Sequence, residues 1–307
     1  MDNYKEWLEN APEHVVAEIK QYTGEQIEDR FSKHMEFGTA GIRGPIVYGT
    51  NNINEYTIAR NAWAFGKLLL ELDEEAAKKH GVVIAHDNRK NRILFSETVA
   101  KVLSALGIPV KFFKGNELQP TPLLSYVIYK YDFVGGANIT ASHNPPTDNG
   151  FKVYNKHGSQ FIKEHTDRIQ EISATLPNVF DIPMNSDLIS ELGHDVVQEY
   201  IRTIMEFIPF SAGRQPDRSN LKITFTSEHG TSTPIAVELA KQMRVDMKLV
   251  EEQCTPDENF TNTASPNPQN PESFDMAKEQ GEANGSELLF ATDPDADRFG
   301  LVVKHKG

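Results

Sequence analysis

The sequence has a single cysteine in 307 residues, Cys254. One thiol cannot build an intramolecular disulfide framework, and it suits a reducing, cytoplasmic setting. Long apolar runs are missing too. No stretch reaches the roughly 18 consecutive apolar residues that a membrane-spanning helix needs. The start, Met1-Asp2-Asn3-Tyr4-Lys5-Glu6-Trp7, is too polar and acidic for a secretory leader. Basic charge is in short supply: 31 Lys and Arg stand against 44 Asp and Glu, for a net charge of −13. That balance argues against nucleic acid or an anionic membrane as partner. An anionic ligand would have to be held by a local cluster of donors, not by a general basic field. No repeat of fixed period is found.

What the chain does contain is enough apolar material, 38% of residues, for two cores of ordinary size. Strand and helix signals alternate through its length, which describes α/β layers. In the first part, a helix over 3–21 is split at Ala11-Pro12, a short helix follows at 25–31, and a helix with one buried face spans 53–72. A buried strand at 82–85 precedes a helix opened by Asn91 or Ser96 and stopped at Gly107. Further strands fall at 110–113, at 131–137 with glycines at its end, and at 151–154. Helices are expected near 121–130 and over 163–176, and one capped by Ser186 reaches 207. The Pro-, Ser- and Gly-containing stretch 209–220 reads as a linker. It divides a first domain, 1–208, from a second, 221–307. The second has strands at 221–225, 247–250 and 288–291, a helix with Pro234 in its first turn, and a long Pro/Asn-rich segment at 253–271.

Three stretches carry chemistry. In Asn138-Ile139-Thr140-Ala141-Ser142-His143-Asn144-Pro145-Pro146, followed by Asn149-Gly150-Phe151-Lys152, Ser142 lies on a stiff loop between two strands. Pro145-Pro146 bars helix, and Asn149-Gly150 is a turn signal. With His143 beside it and Lys152 returning nearby, the Ser142 hydroxyl suits phosphoryl or acyl transfer; a purely structural turn is the competing reading. In Gly38-Thr39-Ala40-Gly41-Ile42-Arg43-Gly44 the glycines let backbone approach an anion, and Arg43 offers a planar donor fork. In Asp293-Pro294-Asp295-Ala296-Asp297-Arg298 an extended backbone would turn all three carboxylates to one side. Three carboxylates at one point repel unless a cation joins them. Hard oxygen ligands with room for a phosphate oxygen describe Mg²⁺ better than Zn²⁺. An EF-hand does not fit, because its sixth and twelfth positions would be Arg298 and Lys304. Asp87 and Arg89, at a strand's C-terminal end, and His229 read as structural residues.

Taken together and in chain order, the 38–44, 138–152 and 293–298 stretches resemble the active-site loop, the phosphoserine loop and the magnesium loop of the α-D-phosphohexomutases, the phosphoglucomutase and phosphomannomutase family. The lead-in Glu36-Phe37-Gly38-Thr39-Ala40-Gly41 is most similar to the branch containing phosphoglucomutase-2 and phosphopentomutase-like enzymes. The resemblance implies two consecutive α/β layer domains, each a mixed sheet between helices. It implies phosphoryl transfer between C1 and C6 of a hexose, or C1 and C5 of a pentose, through phospho-Ser142 and a bisphosphate. It assigns Mg²⁺ to Asp293, Asp295, Asp297 and Ser142, phosphate contact to Arg43 and Arg298, and proton exchange to His143 or Lys152. Two departures stand out. The family's usual His-Gly-Thr-Gly is His229-Gly230-Thr231-Ser232 here, and Gln269 replaces Glu in Pro266-Asn267-Pro268-Gln269. The family's later sugar-reading and phosphate-gripping loops have no counterpart in the 307 residues. The expectation is therefore a truncated chain or fragment, weakly active alone, or a metal- and phosphate-binding remnant. A separate chain carrying the missing C-terminal domains would be its partner.

Overall fold

A computed structural model describes residues 2–38, 41–176, 178–193, 195–207, 218 and 220–305. Three short helices, α1 (Asp2–Asn10), α2 (Glu13–Ile19) and α3 (Gly24–Phe31), form a satellite layer. Trp7 anchors it, 2% exposed, with the rings of Phe31, Tyr56 and Phe180 edge-on within 5.5 Å. Pro12 separates α1 from α2 as the sequence indicated, because Pro is tolerated in a first turn and not inside a helix.

The first sheet has six strands: β1 (Ile42–Pro45), β2 (Val82–His86), β3 (Val110–Phe112), β4 (Gly135–Ile139), β5 (Asp148–Asn155) and β6 (Ile189–Glu191). Their spatial order is β1-β5-β4-β2-β3-β6. The β4, β2, β3 and β6 strands run parallel; β5 is antiparallel to β4, and β1 pairs antiparallel with β5. The helices are α4 (Glu55–His80), α5 (Arg92–Ala105), α6 (Thr121–Lys130), α7 (Lys163–Ala174) and α8 (Val196–Phe207). Period-two alternation decides which face each strand residue joins. Val82 and Ile84 pack with Phe65, Leu68 and Val99 of α4 and α5. Val83 and Ala85 pack with Leu124, Val127 and Ile128 of α6. The α4 helix begins where Asn54 accepts from the amides of Tyr56 and Thr57 while the Thr57 hydroxyl accepts from the Asn54 amide, a reciprocal cap.

The second sheet has β7 (Lys222–Thr226), β8 (Asp246–Leu249), β9 (Leu288–Thr292) and β10 (Phe299–Val303), in the order β10-β9-β7-β8 with only β10 antiparallel. It carries α9 (Thr233–Met243), α10 (Glu251–Cys254) and α11 (Asp275–Asn284). Ile235 and Leu239 of α9 join the cluster around α6 and α8, so the two sheets share packed helices. Both sheets are mixed, as the resemblance implied. The expected linker at 209–220 lies outside the described residues, apart from Arg218 and Asn220. Among the described residues no helix is long and apolar enough to cross a membrane.

Four readings are corrected. The strand before Ser142 starts, and does not end, with its glycines: Asp132, at φ 55°, finishes the exit from α6 and Gly135-Gly136 open β4. Asn149-Gly150 is no turn but lies inside β5, with Gly150 opposite Arg43. A Cβ there would sit 2.4 Å from the Ile42 carbonyl oxygen and 2.6 Å from that of Thr140, so this glycine serves close strand approach. Ser186 caps no helix; residues 189–191 pair with β3, and α8 begins at Val196. The Asp293–Asp297 run is also not extended, as described below.

Candidate active site

The loop between β4 and β5 and the loop between β9 and β10 meet. The Ser142 hydroxyl donates to Asp293 Oδ2 at 2.7 Å, and His143 Nδ1 lies 3.3 Å from the same Oγ. Ser142 is 1% exposed and has φ 56°, a left-handed conformation that a non-glycine residue adopts only under constraint. Lys152 arrives on the neighbouring strand. Its ammonium, 1% exposed, donates to Asp295 Oδ2 at 2.6 Å and Asp297 Oδ2 at 2.9 Å.

The three aspartates converge through a turn. The Ala296 amide donates to the Asp293 carbonyl, and Ala296 takes φ 57°. The extended backbone expected from the alternation is overruled, because a tight turn lets residues 293 and 297 face each other across it. One carboxylate oxygen from each residue lies within 4.8 Å of the others. Burial, with Asp295 and Asp297 alongside, pushes Asp293 up to about 8. Burial pushes Asp295 the same way, but the Lys152 charge overrides it and holds Asp295 below the usual carboxylate range. Burial also works against the Lys152 ammonium, and Asp295, Tyr154 and Asp297 raise it above its ordinary value nonetheless. Asp295 Oδ1 is buried and makes no hydrogen bond, an oxygen left over in a cluster of like charge. That orphan oxygen, with the two flanking carboxylates, is the donor set a hard divalent cation takes, so the residues fit a metal.

Arg298 anchors the turn through its amide, which donates to Asp293 Oδ1 at 3.0 Å, and its guanidinium reaches Gln269 at 3.5 Å. Arg43 is half-buried on β1. Both arginines bear on His143: burial first, then Arg298 and Arg43, hold its imidazole below the ordinary value. Gly38 and Gly41 bond each other's backbones; Thr39 and Ala40 lie outside the described residues.

Several residues here escaped the sequence reading. Thr121, at the start of α6, donates its amide to the Asp295 carbonyl at 2.8 Å and its hydroxyl to Asp295 Oδ2 at 3.3 Å. Asn138 in turn donates to Thr121 Oγ1 at 2.8 Å. The only local trace is Pro120-Thr121-Pro122, which announced a helix start and nothing more. His229 is structural: its Nδ1 bonds the Thr255 carbonyl at 2.8 Å and its Nε2 accepts from the Asn262 amide. Gly230 and Thr231 pack directly on the 293–297 loop. A Cβ on Gly230 would meet Pro294 Cα at 2.5 Å, and Thr231 donates twice to the Pro294 carbonyl. Arg89 lies fully buried under the Ser142 loop.

Comparison with known proteins places this arrangement. Residues 34–179 match the model for phosphoglucomutase/phosphomannomutase alpha/beta/alpha domain I, and residues 198–307 match the model for domain II. The chain belongs to the phosphoglucomutase/phosphomannomutase family, the α-D-phosphohexomutases. It is 34% identical over 311 residues to the phosphomannomutase of Mycoplasmoides pirum, covering 98% of this chain and 56% of that protein. It is 34% identical over 305 residues to the phosphoglucomutase of Staphylococcus aureus (strain bovine RF122 / ET3-1), covering 96% and 53%. Among solved structures, a Thermus thermophilus protein described as a phosphomannomutase superimposes with a TM-score of 0.70 at 25% identity, covering 88% of this chain and 57% of that one. A phosphoglucomutase/phosphomannomutase family protein from Burkholderia thailandensis shares the fold with a TM-score of 0.69 at 23% identity, covering 85% and 53%. The chain thus spans about half the length of the curated relatives it matches.

Proposed function

We propose that this chain supplies the phosphoserine half of a phosphosugar mutase site. Ser142 exchanges a phosphoryl group with a 1-phosphate or 6-phosphate hexose, or a 5-phosphate pentose, through a sugar bisphosphate. The observation that carries this reading is the 2.7 Å contact between the Ser142 hydroxyl and Asp293, which joins two loops 151 residues apart. In the transfer, the bond from phosphorus to Ser142 Oγ breaks as a sugar hydroxyl oxygen bonds phosphorus, and that hydroxyl's proton must leave. His143, held neutral by burial and by two arginines, is the group able to accept it. Lys152 stays an ammonium and offsets carboxylate and phosphate charge; in this arrangement it is an electrostatic partner, not a base. Arg43 and Arg298, whose charges bear on His143, would meet charge on the phosphoryl oxygens. Mg²⁺ held by Asp293, Asp295, Asp297 and Ser142 would neutralise the phosphoserine and polarise the transferred group.

The same reading divides the chain into 1–208 and 221–307, joined by a linker at 209–220. It assigns mutase turnover to an assembly that also grips the sugar and its distal phosphate, whether in one polypeptide or two. Positioning of that kind accounts for about 7–11 kcal/mol of a barrier. The test is to incubate the purified chain with glucose 1,6-bisphosphate and Mg²⁺, follow intact mass, and map the phosphopeptide. One phosphoryl group on Ser142 is expected. Label elsewhere, or none with metal present, overturns the reading.

A further inference from the structure

We infer that Asp87 and Arg89, sealed by Phe260 from the second sheet's side, form a positioning device that sets the Ser142 geometry. This rests on the phosphoryl-transfer reading above only where activity is the readout. A left-handed non-glycine residue persists where its surroundings over-determine it. Both backbone groups of Ser142 lead to the same buried pair. Its amide donates to Thr140 Oγ1 at 2.8 Å, and that hydroxyl donates to Asp87 Oδ2 at 2.6 Å. Its carbonyl accepts from Arg89 Nη2 at 2.8 Å.

Arg89 is 0% exposed, and each of its guanidinium N–H groups is committed. Nε donates to Asp87 Oδ2 at 3.2 Å, and Nη2 also donates to the Asn144 carbonyl at 2.7 Å. Nη1 donates to the carbonyls of Pro145 and Asp148, both at 2.7 Å. A guanidinium has five such donors, so none remains for a substrate phosphate. Arg89 is therefore a mould for the loop and not a ligand group. A lysine, with a compact ammonium, cannot reproduce that planar fork.

The mould is closed from outside the first sheet. The Phe260 ring, 3% exposed, lies 5.1 Å from Arg89 Cζ, and Asn88 Nδ2 donates to the Asp257 carbonyl at 2.7 Å. Segment 257–263 is itself pinned near β7: the Asn262 amide donates to His229, and the Thr263 hydroxyl donates to Glu228. A cation over an aromatic face in a desolvated site is a favourable contact. Contacts made by the second domain thus reach the Ser142 backbone through Arg89.

Two variants test this. Thr140→Val keeps shape but removes the hydroxyl between Ser142 and Asp87, with Thr140→Ser as the rescue. Phe260→Leu keeps an apolar cover and removes the ring face. Each is assayed for the rate and half-saturating concentration of Ser142 phosphorylation by glucose 1,6-bisphosphate with Mg²⁺, and for backbone amide exchange. Thr140→Val should slow phosphorylation about 10- to 100-fold, the cost of a misplaced reacting group. Half-saturation should stay within about twofold, since binding is not what changes. Exchange should rise at 142–148 and not across β2 or β3. Thr140→Ser should recover both, and Phe260→Leu should raise exchange in 142–148. Wild-type rate and exchange in Thr140→Val overturn the inference, as does a loss of protection spread over the whole first sheet. If the wild-type chain takes no phosphate, the proposed function fails and exchange alone decides: selective loosening of 142–148 supports the mould, unchanged exchange refutes it.

Discussion

Replacing Lys152 with Met should cost the fold about 3–5 kcal/mol near pH 7, because it strands a buried carboxylate. Met preserves most of the length and packing of a side chain that is 1% exposed, so the loss isolates the charge. Asp295, 0% exposed, would lose the bond of 2.6 Å that holds its carboxyl below the usual range. The sign of the pH effect follows from those directions. Asp295 is depressed, so its contribution is present above the ordinary carboxylate range and lost as pH falls through its depressed value. Lys152 is raised, so its contribution is present below its ordinary value and lost only at high alkalinity. The pair therefore stabilises across the neutral window. In the variant, burial pushes Asp295 upward without the Lys152 charge to oppose it, and protonation relieves the cost, so the gap from wild type should shrink toward about pH 5. Mg²⁺ competes for the same carboxylates and should stabilise the variant more than the wild type; saturation at about 100-fold over Kd contributes about 2.7 kcal/mol. Urea unfolding at both pH values, with and without Mg²⁺, reads all three effects. A loss below about 1 kcal/mol near neutrality, against the range for broken buried pairs, would refute the argument. So would a loss indifferent to both acid and Mg²⁺.

Glu228 is buried, and burial raises it from 4.5 to about 7. Its stabilising contribution is present below its ordinary value and lost as pH rises through about 7, so Glu228→Gln should flatten that fall by about 1–3 kcal/mol in denaturant titrations between about pH 5 and 8; an unchanged slope refutes it. Trp7→Ala removes the ring that Phe31, Tyr56 and Phe180 surround, and thermal unfolding should register about 3–5 kcal/mol of destabilisation. Asp295→Asn should weaken Mg²⁺ binding about tenfold or more by calorimetric titration, since affinity follows ligand charge; full-strength binding would remove the metal assignment.

How much of this was legible depends on where each residue's partners lie. The β2, β7 and β9 strands were readable because apolar β-formers run together and end in turn residues. The short β6, Ile189–Glu191, has no such signal; pairing with β3 makes it a strand. The β1 strand carries Arg43 and ends at Pro45, and only its place beside β5 gives it strand geometry. Gly150 misled because Asn-Gly is a turn pair when space is open, and here two carbonyl oxygens fill the space a Cβ would need. The aspartate loop was legible as composition but not as shape: alternating aspartates suggested a pleat, and the left-handed Ala296 makes a turn instead.

Arginine allocation was the least legible feature, and it bears most on chemistry. Arg43, Arg89 and Arg298 are the same residue type in motif-like surroundings, yet they divide into two kinds. Four of the five guanidinium hydrogen bonds of Arg89 run to carbonyls 53 to 59 positions later in the chain, so nothing in its neighbourhood of sequence announces them. Fully bonded and fully buried, it can shape a loop but cannot meet a ligand. Arg43 and Arg298 are half-buried; among the described residues no hydrogen bond uses the Arg43 guanidinium, and Arg298 spends one nitrogen on Gln269 at 3.5 Å. Both lie close enough to His143 to hold its imidazole below the ordinary value, after burial. In a chain of net charge −13, that is how an anion site can be made without a basic field. In the proposed site, one arginine is consumed to hold the Ser142 backbone, and two would keep donors for the phosphoryl oxygens. Lys152 would offset the carboxylates that otherwise repel a phosphate.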